Sequence, residues 1–205
     1  MGQYVRVLSK QTEAISFQVL KKAMRAARPP VALTIESGSE SKWEQLLLAH
    51  KDGTPITQIE HSLVTPESMA ESEIEEFLEE IERERPKSAL PWLKQFLKET
   101  RSIYVFQVLS GTEKSNGWDA FDELYSAIFW AAAPAIIQDD QAFSNEQGYD
   151  ILWVCPIPEG ETRKVGVWIE GRWVACEIDL ANNKHCAAFR RGEIPAGMTP
   201  ITGAA

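Results

Sequence analysis

The sequence predicts an α+β protein: two βαββ-type halves forming an antiparallel-rich sheet with helices on one face, interrupted by an acidic helical insert. Three observations carry that reading. Apolar residues alternate between strand-like and helix-like spacing along the chain. The order strand, helix, strands over residues 1–65 recurs over residues 101–180. Between them, residues 66–100 read as helix and carry a dense run of glutamate. One domain spans 1–192, and the segment 193–205, rich in Pro, Gly, Ala and Thr, reads as a mobile tail.

In the first half, residues 4–8 read as a strand of mixed burial. Ile15, Phe17, Val19, Leu20, Ala23, Met24 and Ala27 then follow helical spacing, and Pro29 with Pro30 stops the helix because proline lacks the N–H a helix needs. Residues 31–35 read as a strand and 37–41 as a polar loop. Strands over 43–50 and 55–63 flank Asp52-Gly53, a pair that supplies the positive φ angles of a tight hairpin. This βαβββ order resembles, in topology alone, the vicinal-oxygen-chelate superfamily, whose members hold a metal with His and Glu on inward-facing strand positions. The second half departs from that pattern, offering no His before His185.

In the insert, Ser72 with Glu75 fits a capping box, which satisfies free N–H groups at a helix start. Ile74, Phe77, Leu78 and Ile81 form an apolar stripe at i, i+3, i+4, i+7, and the other faces are nearly all glutamate. Pro86 ends this helix, and a second over 88–99 uses Leu90, Leu93, Phe96 and Leu97. The acidic face reads as solvated surface. Functionally it would dock a basic protein partner through Glu76, Glu79 and Glu80, with charge complementarity raising the association rate.

In the second half, residues 103–109 form the clearest strand. Asn116 is expected to cap a helix carrying Trp118, Phe121, Tyr125, Ile128 and Phe129, which Pro134 terminates. A short strand over 135–138, a polar loop over 139–148 and a strand over 149–154 follow. Strands over 165–169 and 172–178 are joined by the two-residue turn Glu170-Gly171.

Composition narrows the function classes. With 30 acidic against 21 basic residues, the net charge of −9 opposes binding to a nucleic-acid backbone. No apolar run reaches the ~18–20 residues a membrane span needs. The start has no secretory h-region, and three cysteines without a CxxC pair make no disulfide framework, so a cytoplasmic location is expected.

For chemistry, a strand–helix–strand crossover brings the loops after its two strands to one edge. The candidate ligand residues are therefore Ser110, Thr112 and Asn116 in loop 110–117, and Asp139, Asp140 and Glu146 in loop 139–148. The first loop ends at a helix N-terminus, which favours an anion, and the second favours a cation or a donor-rich ligand. The glycine spacing matches neither a P-loop nor a dinucleotide fingerprint.

His50 and His61, with Glu60 or Glu36, could meet a divalent ion across the first hairpin. Cys155, Cys176, His185 and Cys186 lack paired zinc-ligand spacing, and Cys176 alternates with Val174 and Ile178 as a core thiol would. No G-x-S-x-G elbow occurs, no catalytic residue is assigned and no cofactor is expected. Among the tryptophans, an exposed Trp43, Trp92 or Trp173 would mark an interface. The function expected is a non-catalytic interaction or binding module; the alternative is a small-molecule or metal-binding enzyme using the two loops.

Overall fold

A computed structural model describes residues 3–25 and 31–201. The chain runs β1 (Tyr4–Ser9), α1 (Phe17–Met24), β2 (Val31–Ser39), β3 (Lys42–His50), β4 (Pro55–Leu63), α2 (Met69–Glu80) and α3 (Leu90–Glu99). It continues β5 (Ser102–Val108), α4 (Gly117–Ala131), β6 (Ala135–Asp139), β7 (Ala142–Ser144), β8 (Asp150–Trp153), β9 (Thr162–Ile169), β10 (Arg172–Asp179) and α5 (Asn183–Arg190). The mixed α+β class with mostly antiparallel strands is as the sequence predicts. None of these helices is long and apolar enough to cross a membrane.

The division of the chain is different from the predicted one. The molecule groups into a first compact unit, Met1–Ala70 with Thr100–Ala135, and a second, Glu71–Glu99 with Ile136–Ala205. The element order βαβββ does recur, as β1-α1-β2-β3-β4 and β5-α4-β6-β7-β8. Yet β5 and α4, from the predicted second half, belong to the first unit.

In the first unit the strands lie in the order β1-β5-β4-β3-β2, every neighbouring pair antiparallel. Phe17, Leu20 and Met24 of α1 and Phe121, Leu124 and Ile128 of α4 are buried, and the two helices pack on each other. Phe106 of β5 meets the edge of Phe121 with ring centres 5.8 Å apart, a geometry in which positive ring edge faces negative ring face. Trp118 and Trp130, by contrast, are 45% and 61% exposed, so α4 turns part of its apolar sequence outward.

Two local predictions need correction here, and a third goes untested. The strand β2 continues through residues 37–39, predicted as loop, because a bulge between Ile35 and Gly38 absorbs the extra backbone. At Gly38, with φ +92°, the backbone of Lys42 and Trp43 occupies the place of a Cβ, so only glycine fits. Asn116 stands at the N-cap position of α4 but makes no side-chain cap: its left-handed backbone, φ 60°, turns the side chain from the first turn. The proposed stop of α1 at Pro29 and Pro30 lies outside the described residues, and the described helix ends at Met24.

In the second unit the strand order is β6-β7-β8-β9-β10, antiparallel except for the β8–β9 pair. The two-residue turn before β10 has Glu170 and Gly171 at φ 49° and 81°, the primed geometry expected of it. Ile74, Phe77 and Ile81 are buried as the stripe predicts, with Leu78 half-buried, and Leu90, Leu93, Phe96 and Leu97 of α3 are buried too. Phe77 sets its edge on Phe143 at 5.6 Å, and Trp92 does so on Trp173 at 5.1 Å. The helices α2 and α3 thus form part of this unit's core rather than an appendage.

Other boundaries move for physical reasons. The helix α2 begins at Met69, so Ser72 and Glu75 lie inside it and do not cap it. The predicted polar loop 139–148 contains β7, whose Ala142, Phe143 and Ser144 are all buried; three residues are too few to show a period. The helix α5 was not predicted. It brings Phe189 and Cys186 onto Trp153, Val167, Cys176 and Ile178, so Cys176 is the expected core thiol. The tail also packs: Ile194 and Met198 lie on that cluster, and the Ile201 N–H donates to the Ala175 carbonyl at 2.7 Å. Residues 202–205 lie outside the described residues.

Candidate functional site

The site begins with alternation along β3, β4 and β5. Trp43, on β3, points inward because its neighbours Lys42 and Glu44 are exposed. His61 of β4 stands opposite Tyr104 of β5 in register. The three rings meet: His61 and Tyr104 at 4.6 Å between centres, Trp43 and His61 at 5.7 Å, Trp43 and Tyr104 at 5.9 Å.

These rings hold the segment joining β1 to α1. The Trp43 indole N–H donates to the Ile15 carbonyl at 2.6 Å, and the Ile15 N–H donates to the Tyr104 hydroxyl at 3.3 Å. The same hydroxyl donates to the Glu13 carbonyl at 3.4 Å. Residues 12–14 are thereby fixed as one wall of a cavity of about 870 Å³, with residues 42–45 and 60–63 forming the others.

Burial decides the ionic state of these rings. It holds the His61 imidazole down to about 4, far below its ordinary value, so the ring is neutral near pH 7. Its Nε2 is enclosed and has no hydrogen-bond partner. Burial likewise pushes the Tyr104 phenol up to about 12, keeping it protonated. The rim is acidic and acceptor-rich. Ser62 donates to Glu60 and Ser37 to Glu44, each at 3.1 Å, and Glu13 and Lys42 also line the opening.

The sequence-predicted ligand residues fall elsewhere. Ser110 and Thr112 lie on a 3-10 turn over Ser110–Glu113. Thr112 is buried and donates to the Leu109 carbonyl at 2.8 Å, while Ser110 and Asn116 are exposed. This loop is bolted to the β3–β4 turn. His50 Nε2 bonds the Gly111 carbonyl at 2.8 Å, and Lys114 pairs with Asp52 at 2.7 Å, which holds the Asp52 carboxyl well below the usual carboxylate range.

In the second unit, Asp139 Oδ1 accepts the N–H groups of Gln141 and Ala142 at 2.8 and 2.7 Å, so that carboxylate shapes its own turn. Asp140 is exposed and Glu146 half-buried. The two loops belong to different units. Glu76, Glu79 and Glu80 are exposed on α2.

The metal readings find no support in the geometry. His50 and His61 sit at opposite ends of the first hairpin, one bonded to Gly111 and one among the rings. Among the described residues no group of three or more His, Cys, Asp or Glu side chains is placed to hold a metal ion.

Two polar features escaped the sequence reading. Asp150 is buried, accepting from Ser144 at 3.0 Å and from the Trp153 indole at 3.3 Å, with Arg163 at 3.6 Å. Burial pushes its carboxyl up to about 6 against the pull of Arg163. These partners come from separate strands, so no local motif announces them. The cavity beside His61 was hidden for the same reason: its His was visible, its wall from residues 12–14 was not. Comparison with protein-family models, curated proteins and solved structures finds no match to this chain.

Proposed function

We propose that the chain is a non-catalytic binding module whose first unit takes a small polar molecule in the cavity beside His61. The carrying observation is that cavity: about 870 Å³, within the ~300–1,000 Å³ typical of small-molecule sites, and lined by the packed rings of Trp43 and His61. The His61 imidazole that lines the cavity, and the Tyr104 phenol packed behind it, are held in their neutral forms, which suits recognition more than proton transfer near pH 7. The enzyme alternative through loops 110–117 and 139–148 draws less support, since Thr112 and Asp139 are committed to neighbouring backbone groups.

A thermal-shift screen of polar metabolites tests the reading. A hit should raise the melting temperature in proportion to log concentration at saturation. It should lose that effect in Ser41→Trp, which plugs the opening from an exposed turn. Hits untouched by the plug would overturn it.

A second reading is favoured by α2, where Glu76, Glu79 and Glu80 face solvent while Ile74, Phe77 and Ile81 anchor the opposite side. Such a fixed acidic face suits a basic protein partner. Retention of a partner at low salt should fall when all three glutamates become glutamine; retention that survives this change rejects the reading.

A further inference from the structure

The cavity beside His61 also specifies the kind of molecule it takes, given that it is the binding site. We propose that its ligand is a compact organic cation carrying N–H donors, an ammonium or guanidinium compound.

The argument starts from hydrogen-bond supply. Ser62 and Ser37 spend their hydroxyl hydrogens on Glu60 and Glu44. What these two pairs present beyond those bonds is oxygen lone pairs, so this part of the lining asks for donors, while Thr12, Ser41 and Gln45 can turn donor or acceptor to a ligand. Glu13 adds a third carboxylate against the one cation, Lys42. The His61 ring would oppose a cation if protonated. Enclosed against Trp43 and Tyr104 it stays neutral, and it offers the uncharged flank of a π system.

Two further features fit. The volume exceeds what a bare metal ion fills, and no metal-holding trio of side chains exists among the described residues. The net charge of −9 draws cations toward the chain before they reach the opening.

Calorimetric titration of the full chain with four linear probes tests this: agmatine and spermidine as cations, 1,4-butanediol as neutral, glutarate as anion. The expected result is one-to-one saturation by agmatine or spermidine alone. Affinity should fall about tenfold or more in Glu60→Gln and further in the double variant Glu44→Gln/Glu60→Gln. It should vanish in Ser41→Trp and stay unchanged in Glu71→Gln/Glu75→Gln, which removes equal charge from α2. Circular-dichroism melts of each variant establish that it is folded.

If glutarate or butanediol binds instead, and Ser41→Trp abolishes that binding, the cavity stands as a site and the ligand class is wrong. Cation binding that follows the α2 glutamates is general charge attraction and rejects the class as well. If no probe binds, or binding ignores Ser41→Trp, the class and the cavity's role both fall.

Discussion

His61 shows how one side chain can be ordinary in sequence and unusual in place. Stacked on Tyr104 and Trp43, it is costly to charge, so its folded value of about 4 lies below the ordinary 6.5. At pH values between the two, the unfolded chain binds more protons than the folded one. Its contribution is therefore complete above about 6.5 and is lost as pH falls toward 4. Replacing His61 with Phe should flatten the loss of stability between pH 7 and pH 4.5, read as the urea midpoint at each pH; an unchanged slope would refute the assignment. Asp150 works in the opposite sense. Its carboxyl is raised to about 6, so the folded form keeps its proton longer, and that contribution fades as pH rises from about 3.8 through 6. The Asp150→Asn variant should thus lose less stability over that interval than the parent. Which carboxylates carry such shifts was not legible beforehand. Asp139 and Asp140 drew attention as neighbours, whereas Asp150 acquires its character from Trp153 at the far end of its own strand and from Ser144 and Arg163 on the two strands beside it.

Elements were read best where a long period repeats. The helices α2 and α3 announced themselves through Ile74, Phe77 and Ile81 and through Leu90, Leu93, Phe96 and Leu97, all of which are buried. Truncating Phe77 to Ala removes the ring that meets Phe143 and should cost about 3–5 kcal/mol in denaturant unfolding. Glu76→Gln on the solvent side should stay within ~0.5 kcal/mol. Equal effects would mean that the stripe is not the anchored side. Short or compensated elements were illegible. The strand β7 has three residues, β2 passes through Ser and Gly by a bulge, and α5 follows no clear apolar period over its eight residues. The end of the first hairpin was legible because Asp52 and Gly53 are a local device: Asp52 accepts the Thr54 N–H at 3.0 Å and Gly53 supplies φ 85°.

On the scale of the whole molecule, neither compact unit is a continuous stretch of chain. The first needs β5 and α4, which follow α3 in sequence; the second needs α2 and α3, which precede them. The same order of elements occurs twice along the chain, but strand pairing sends β5 to lie between β1 and β4, a long-range choice that periodicity does not encode. A fragment of residues 1–135 should therefore be far less soluble than the full chain, since it carries the apolar stripes of α2 and α3 without Phe143 and Trp173. A monodisperse, cooperatively melting fragment would contradict this. Synthesis on the ribosome meets the same interleaving in time. At ~5–20 residues per second, the last of the unit's strands, ending at Asp179, is translated roughly 4–16 s after α3 ends at Glu99. During that wait the greasy side of the α2–α3 pair has no native cover, and the exposed glutamates of α2 give the opposite face a negative charge that repels like chains.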